Sequence, residues 1–191
     1  MYEGHEWYNP PVAWSVADDG LRFTTAPQTD FWNNTHYGFR HTNGHAFLRA
    51  TVGDFSAEAA FSARYAELYD QAGVMLRVDD DNWLKTGIEF TDNKPHMSVV
   101  VTRADRSDWS VVPLPEAAMT GTEVRLTRHG EALRVQYRCD DGAWAMARLA
   151  FLDMPASVTI GPAACSPVGD GLDVLFSRFQ IGPAISPELH E

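Results

Sequence analysis

A chain of 191 residues that is 45% hydrophobic has enough apolar material for a sizeable core, unlike a disordered chain, and its length suits one large all-β domain better than two small ones. The net charge of −11 disfavours nucleic acid and anionic membranes as partners, since both need a local excess of Lys or Arg. Two cysteines, and an N-terminus (residues 1–8) with neither a basic region nor an apolar stretch, argue against a secreted disulfide scaffold; the expected setting is cytoplasmic and reducing, with no bond between Cys139 and Cys165.

Turn signals recur along the chain at Asp19-Gly20, Asn43-Gly44, 79–82, Asp92-Asn93-Lys94-Pro95, His129-Gly130, 140–142 and 169–171. Short β-branched and aromatic runs lie between them, a pattern of sandwiches and barrels. Strands are predicted over 21–25, 45–52, 57–65, 71–78, 83–90, 96–103, 107–112, 123–129, 132–138, 144–151, 157–162 and 172–181. Only 55–69 has a partly helical spacing, and its apolar positions 55, 57, 59 and 61 fit a strand as well. The run 172–181 is apolar on both faces, as a central strand would be. No apolar run approaches the ~18 residues of a membrane span. The whole of 1–191 reads as a single domain, with an ordered core over about 7–183.

The segment Trp83-Leu84-Lys85-Thr86-Gly87-Ile88-Glu89-Phe90 carries the most information. Side chains alternate faces along a strand, so Leu84, Thr86, Ile88 and Phe90 are predicted to face the core. Trp83, Lys85, Gly87 and Glu89 then form an outward row of ring, cation, gap and anion. Lys85 is one of two lysines in the chain. It lies about 13 Å from Glu89 along an extended backbone. A glycine inside a strand often marks the close approach of a ligand or of another backbone. Depending on register, Gly87 faces Met75 or Gly73, and Arg77 falls beside Lys85. The row is either a ligand platform, joined by Arg77 and Gln71, or a solvated outer face with cross-strand ion pairs. On the platform reading, Gly87→Val would abolish binding and leave the fold intact.

Other candidates flank this row. Asp70 would accept hydrogen bonds from ligand hydroxyls or cap its own turn, and Gln71 offers both donor and acceptor. Asp108 and Trp109 combine a carboxylate with a ring for stacking, although most tryptophans are core residues. His45 would contact ligand or tie strand ends together. The acidic turn 79–82 lacks the spacing of a calcium loop. No zinc spacing or phosphate loop is present, so no metal or cofactor is implied.

Several phrases together, Asp30-Phe31-Trp32, Thr35-His36-Tyr37-Gly38-Phe39, Gly44-His45, Tyr69-Asp70-Gln71-Ala72-Gly73, the 83–90 segment, Ser107-Asp108-Trp109-Ser110 and Cys165-Ser166-Pro167, cover nearly the whole chain in order. The set resembles the family of unknown function named after the regulation-of-enolase protein. The resemblance implies an all-β concanavalin A-like fold, a two-sheet antiparallel jelly-roll sandwich with a groove on its concave sheet. It implies no established catalytic residues. Similar domains are appended to some glycosidases, and the wider fold includes lectins and glucanases. Glucanases of this fold place two or three acids on one strand, whereas the matching strand here has only Glu89.

The expected function is non-catalytic binding of a carbohydrate or other small polar metabolite through Asp70, Gln71, Arg77, Lys85, Glu89, Asp108, Trp109 and His45. One alternative is a glycoside hydrolase or lyase using Glu89 with Asp70 or Asp108, since such enzymes need two carboxyl groups roughly 5–10 Å apart. Another is a regulatory protein that binds a metabolic enzyme. Lys85 on the same face is expected to lower the pKa of Glu89, which suits an acceptor better than a proton donor.

Overall fold

Alternating strands bury one face and must find a second sheet to bury it against. In the computed structural model, which describes residues 2–139 and 142–189, two seven-stranded antiparallel sheets provide that pairing. In chain order the strands are β1 (Glu6–Tyr8), β2 (Trp14–Ala17), β3 (Gly20–Thr24), β4 (Phe31–Asn33), β5 (Arg40–Thr42), β6 (His45–Val52), β7 (Phe55–Ala63) and β8 (Gln71–Arg77). They continue as β9 (Trp83–Thr91), β10 (Lys94–Arg103), β11 (Arg106–Pro113), β12 (Thr122–His129), β13 (Ala132–Cys139), β14 (Ala145–Phe151), β15 (Ser157–Cys165) and β16 (Asp173–Gly182). A 3₁₀ turn spans Glu116–Met119. Two residues of the expected turn at 140–142 lie outside the described residues. No helix of the described residues is long and apolar enough to cross a membrane.

The first sheet runs β1-β6-β15-β8-β9-β10-β11 and the second β14-β13-β12-β7-β16-β3-β2; β4 and β5 form a separate ribbon. The core lies between the sheets. Leu84, Ile88, Val99 and Val101 of the first pack with Val124, Leu126, Phe176 and Phe179 of the second. Full burial of one such side chain contributes about 1.5–3 kcal/mol.

The twelve predicted strands all form, with ends shifted by a few residues. The stretch 55–69 resolves as β7, a strand. The strands absent from the sequence reading are β1, β2, β4 and β5, each of three or four residues and too short to show alternation. β16 is interior, between β7 and β3, but only one of its faces is fully buried. Val174, Phe176 and Phe179 enter the core, and a register shift between Phe176 and Arg178 keeps them on one side. Ordered packing extends past both ends of the 7–183 core. Tyr2 is buried and donates to the Phe176 carbonyl, and Arg134 donates to the carbonyls of Ser186 and Glu188. Cys139 and Cys165 end strands in different sheets and are not joined to each other.

Candidate functional site

The site is built on the outer face of the first sheet. Register sets its rows: Gln71 lies opposite Glu89, Gly73 opposite Gly87 and Met75 opposite Lys85, and on the other side Ser98 faces Gly87 and Val100 faces Lys85. The alternation in β9 is as read from sequence, with Leu84 and Ile88 inward and Lys85 and Glu89 outward. The two glycines let their strands approach closely. A Cβ on Gly87 would sit 2.1 Å from the Ala72 carbonyl oxygen, and one on Gly73 would sit 2.0 Å from that of Thr86. Gly87→Val therefore breaks the sheet, contrary to the expectation of an intact fold: steric exclusion by the neighbouring backbone outweighs strand propensity.

A wall comes from the segment 26–44. Phe31 enters a second apolar cluster on this outer face, with Met75, Trp83, Val100 and Cys165. Asn33 clamps the ribbon in place: its amide nitrogen donates to the Asp80 carbonyl (2.9 Å) and to Asp105 (2.8 Å), and its backbone N–H donates to Ser107 Oγ. The rings of Trp32, Tyr37, Phe39 and His41 then stand together, with Tyr37 and Phe39 stacked at 5.1 Å. Tyr69, Trp109, Pro167 and Val168 bound the opposite side, enclosing an open cleft of about 660 Å³ over Gln71, Lys85 and Glu89. The Tyr37 and Tyr69 hydroxyls meet at 3.4 Å. That hydrogen bond, followed by burial, pushes the Tyr69 pKa up to about 12.

Lys85 and Glu89 are only 9% and 5% exposed, so a solvated outer face is not what forms. Lys85 Nζ donates to Asp30 Oδ1 at 3.1 Å, and Gln71 Nε2 donates to the same oxygen at 3.2 Å. The Phe31 backbone N–H adds a third bond to Oδ1 at 2.7 Å. Burial opposes the ammonium charge of Lys85, but the charges of Asp30 and Glu89 and the Asp30 bond outweigh it and raise the pKa. Lys85 is therefore a fixed cation.

Glu89 receives the Ser98 hydroxyl (2.5 Å) and the Trp109 indole N–H (3.2 Å) on Oε2. Among the described residues, Oε1 has no hydrogen-bond partner. Burial raises the Glu89 pKa more than Lys85, Ser98 and Trp109 lower it. The expected depression by Lys85 is thus overturned: Lys85 pairs with Asp30, and desolvation dominates at Glu89.

Gln71, Lys85, Glu89 and Trp109 come together in the cleft as a set. Four other predicted residues lie elsewhere. Asp70 is buried beneath its turn, where its carboxylate accepts from the backbone N–H groups of Ala66 and Glu67 and from Ser166 Oγ. Arg77 falls opposite Trp83 rather than beside Lys85; it pairs with Asp80 and lies over the Tyr8 ring. Asp108 sits opposite Val101, on core-facing parity at the edge strand β11, and bridges to Arg148 of the second sheet. His45 holds chain segments together: its Nε2 accepts from the Ala26 N–H and its Nδ1 bonds the Asn9 carbonyl. In the 79–82 turn, Asp79 caps its own turn while Asp80 and Asp81 pair with Arg77 and Arg40. Asp30 is a residue to which the sequence assigned no role: it belongs to no alternating strand, and it entered only within the Asp30-Phe31-Trp32 phrase of the family resemblance.

Fold and site together define a concanavalin A-like jelly-roll sandwich with a polar-floored, aromatic-walled cleft on one sheet. The model of a family described as "Protein of unknown function (DUF1349)" matches residues 7–184, and the chain belongs to that family. It is 35% identical over 185 residues to "Regulation of enolase protein 1" of Saccharomyces cerevisiae, covering 97% of this chain and 92% of the relative. A crystal structure described as a functionally unknown protein from Saccharomyces cerevisiae superposes with a TM-score of 0.91 at 34% identity, over 97% of this chain and 99% of that one.

More distant structures share the fold alone. The carbohydrate-binding module CBM66 from Bacillus subtilis matches with a TM-score of 0.59 at 10% identity, over 95% of this chain and 98% of the module. The GH43 protein BlXynB (K247S mutant) from Bacillus licheniformis matches with a TM-score of 0.73 at 14% identity, over 94% of this chain but 37% of the enzyme. This chain therefore corresponds to only part of that glycosidase.

Proposed function

We propose that this chain is a binding domain whose outer-sheet cleft takes a carbohydrate or another small polar metabolite. The observation that carries this reading is the pairing of chemistry in the cleft. A fixed floor of Asp30, Lys85, Gln71 and Glu89 offers both donors and acceptors, and exposed rings, Trp109 and Tyr37 among them, offer flat apolar faces. Sugars present both kinds of surface, hydroxyl edges and C–H faces. Sandwiches of this fold include a module that by its name binds carbohydrate.

Calorimetric titration with a panel of neutral methyl glycosides tests the reading. At least one should bind, and Trp109→Ala should weaken it about 10-fold or more, the loss of ~1.4 kcal/mol expected for a stacking ring that also positions Glu89. Binding unchanged in that variant would place the ligand elsewhere.

A second reading is favoured by one observation, the raised pKa of Glu89. Two carboxyl groups in one cleft with different surroundings are the arrangement of an acid–base pair, and here Asp30, which shares the cleft with Glu89, would be the partner in place of Asp70 or Asp108. Turnover of aryl glycosides or oligosaccharides that disappears in Glu89→Gln would select this reading over simple binding. The name of the yeast relative supports a third possibility, a metabolic enzyme as partner, and a pull-down against purified enolase addresses it.

A further inference from the structure

Beside the cleft is a smaller space that shares Gln71, Lys85 and Glu89 with the cleft floor and is also lined by Gly73, Gly87 and Cys165. Its volume is about 20 Å³. A space of ~10–15 Å³ on the same measure holds one water, so this niche has room for one hydroxyl-sized group. Its size is set by backbone, because neither glycine can carry a side chain without striking the adjacent strand.

The charged and amide side chains that line it are those of Lys85, Glu89 and Gln71. Lys85 Nζ has three N–H donors, and Asp30 takes one of them. Glu89 Oε1 and the Gln71 side-chain oxygen have no hydrogen-bond partner among the described residues, and neither is among the fully buried, unpartnered atoms. A group entering the niche can therefore accept from an ammonium and donate to a carboxylate or amide oxygen. A hydroxyl does both. A phosphate or carboxylate only accepts, carries charge toward Glu89, and is too large. A methyl ether lacks the donor and exceeds the space.

We infer that this niche receives one hydroxyl of an uncharged sugar, hydrogen-bonded between Lys85 and Glu89, and that it excludes sugar phosphates, uronic acids and O-alkylated sugars at that position. The inference rests on the carbohydrate reading above and narrows it to a ligand class. Recognition would be positional: one hydroxyl fixes the ring in the cleft, and the aromatic walls hold the remainder without strong preference.

The test uses the unmodified protein. Methyl glycosides of D-glucose, D-galactose, D-xylose and L-arabinose are titrated by calorimetry, followed by the mono-deoxy, mono-O-methyl and monophosphate derivatives of each sugar that binds. A single ring position should dominate. Its deoxy derivative should bind about 10- to 100-fold more weakly, the range for a hydrogen bond to a charged group, and its O-methyl and phosphate derivatives should not bind. Deoxygenation elsewhere should change affinity by less than about threefold. Cys165→Ala, which removes a sulfur from the niche wall, should recover binding of the O-methyl derivative at that position up to the level of the deoxy derivative, since the ether still lacks the donor. Equal losses at every position, a phosphate ester binding as tightly as its parent, or no rescue in Cys165→Ala would overturn the niche while leaving carbohydrate binding intact. No binding by any of the sugars would overturn both.

Discussion

The outer faces of the two sheets both carry buried or half-buried charges and end differently. On the second sheet, Glu58 pairs with Arg125, and Glu123 accepts from both Arg138 and Arg178. The Arg125 and Arg138 guanidiniums also flank the Trp144 ring, at 4.3 and 4.8 Å from its centroid. Both carboxylates there are met by arginine, and the face remains partly open to water. On the first sheet a single cation, Lys85, serves two nearby carboxylates, Asp30 and Glu89, under a wall of rings. Part of the difference lies in the strands, since the outer face of the first sheet carries Met75, Trp83 and Val100 among its polar residues where that of the second carries Glu58, Arg125 and Arg138. The cover completes it: residues 26–44 fold over the first sheet, and their Phe31 is anchored on those apolar residues. A charged outer face becomes a site when another segment removes it from water and leaves its charges unevenly paired.

The sharpest way to break this contrast is at Gly87. Gly87→Val should cost more than about 4 kcal/mol, in the exceptional range for a single substitution, and should abolish the cooperative thermal transition. A stable, well-folded variant would mean that the strands separate more easily than the 2.1 Å approach implies.

Removing the cation comes next. Lys85→Met leaves Asp30 as an unpaired, mostly buried charge and should destabilise by about 3 kcal/mol, at the low end of the range for a broken buried pair because Asp30 keeps some contact with water. Adding Asp30→Asn should return most of that loss in chemical denaturation. If the double variant is no better than the single, the pair does not act as a unit.

Glu89 gives a smaller effect with a distinctive pH dependence. Its folded pKa is raised, so the fold favours the protonated form. The associated stability is present below the ordinary carboxyl value of about 4.3 and is lost as pH rises through the folded value. Glu89→Gln keeps the shape without the charge and should melt higher than the parent at pH 7, by about 2–4 °C, the shift per kcal/mol at this chain length. The gap should close as the pH falls below about 4. A gap that widens on acidification would reverse the assigned direction.

The smallest effect belongs to the other face. Arg178→Ala should cost about 0–1 kcal/mol, since Arg138 still pairs with Glu123. A loss as large as that of Lys85→Met would erase the distinction between the two faces.

The sequence showed the strands and their parity because period-2 alternation is a local property. It therefore placed Lys85 and Glu89 on one face and Leu84 and Ile88 on the other. It could not show what lies across space. Register was open by two residues, which moved Arg77 from beside Lys85 to beside Trp83. Asp30 is 55 positions from Lys85 in the chain, and its role depends on where a loop lands. Asp70 and His45 show the converse: polar residues beside a site whose hydrogen bonds are taken up by backbone. The pKa of Glu89 was misread because burial, a tertiary quantity, outweighed a charge visible in the sequence.

The glycine pair in the floor also bears on how such a cleft could be altered. Side chains cannot be added at Gly73 or Gly87, so the bottom of the cleft is fixed in shape by main chain. The walls come from separate pieces, the 26–44 segment, the turn before β8 and the 166–169 loop, where Tyr37, Phe39 and Val168 are exposed. The space beside the glycine pair is thus tied to folding, while most of the wall lies in parts of the chain that can change separately. A combinatorial library varying only those three positions would search new specificities over an unchanged scaffold, much as binding loops are varied on a constant framework.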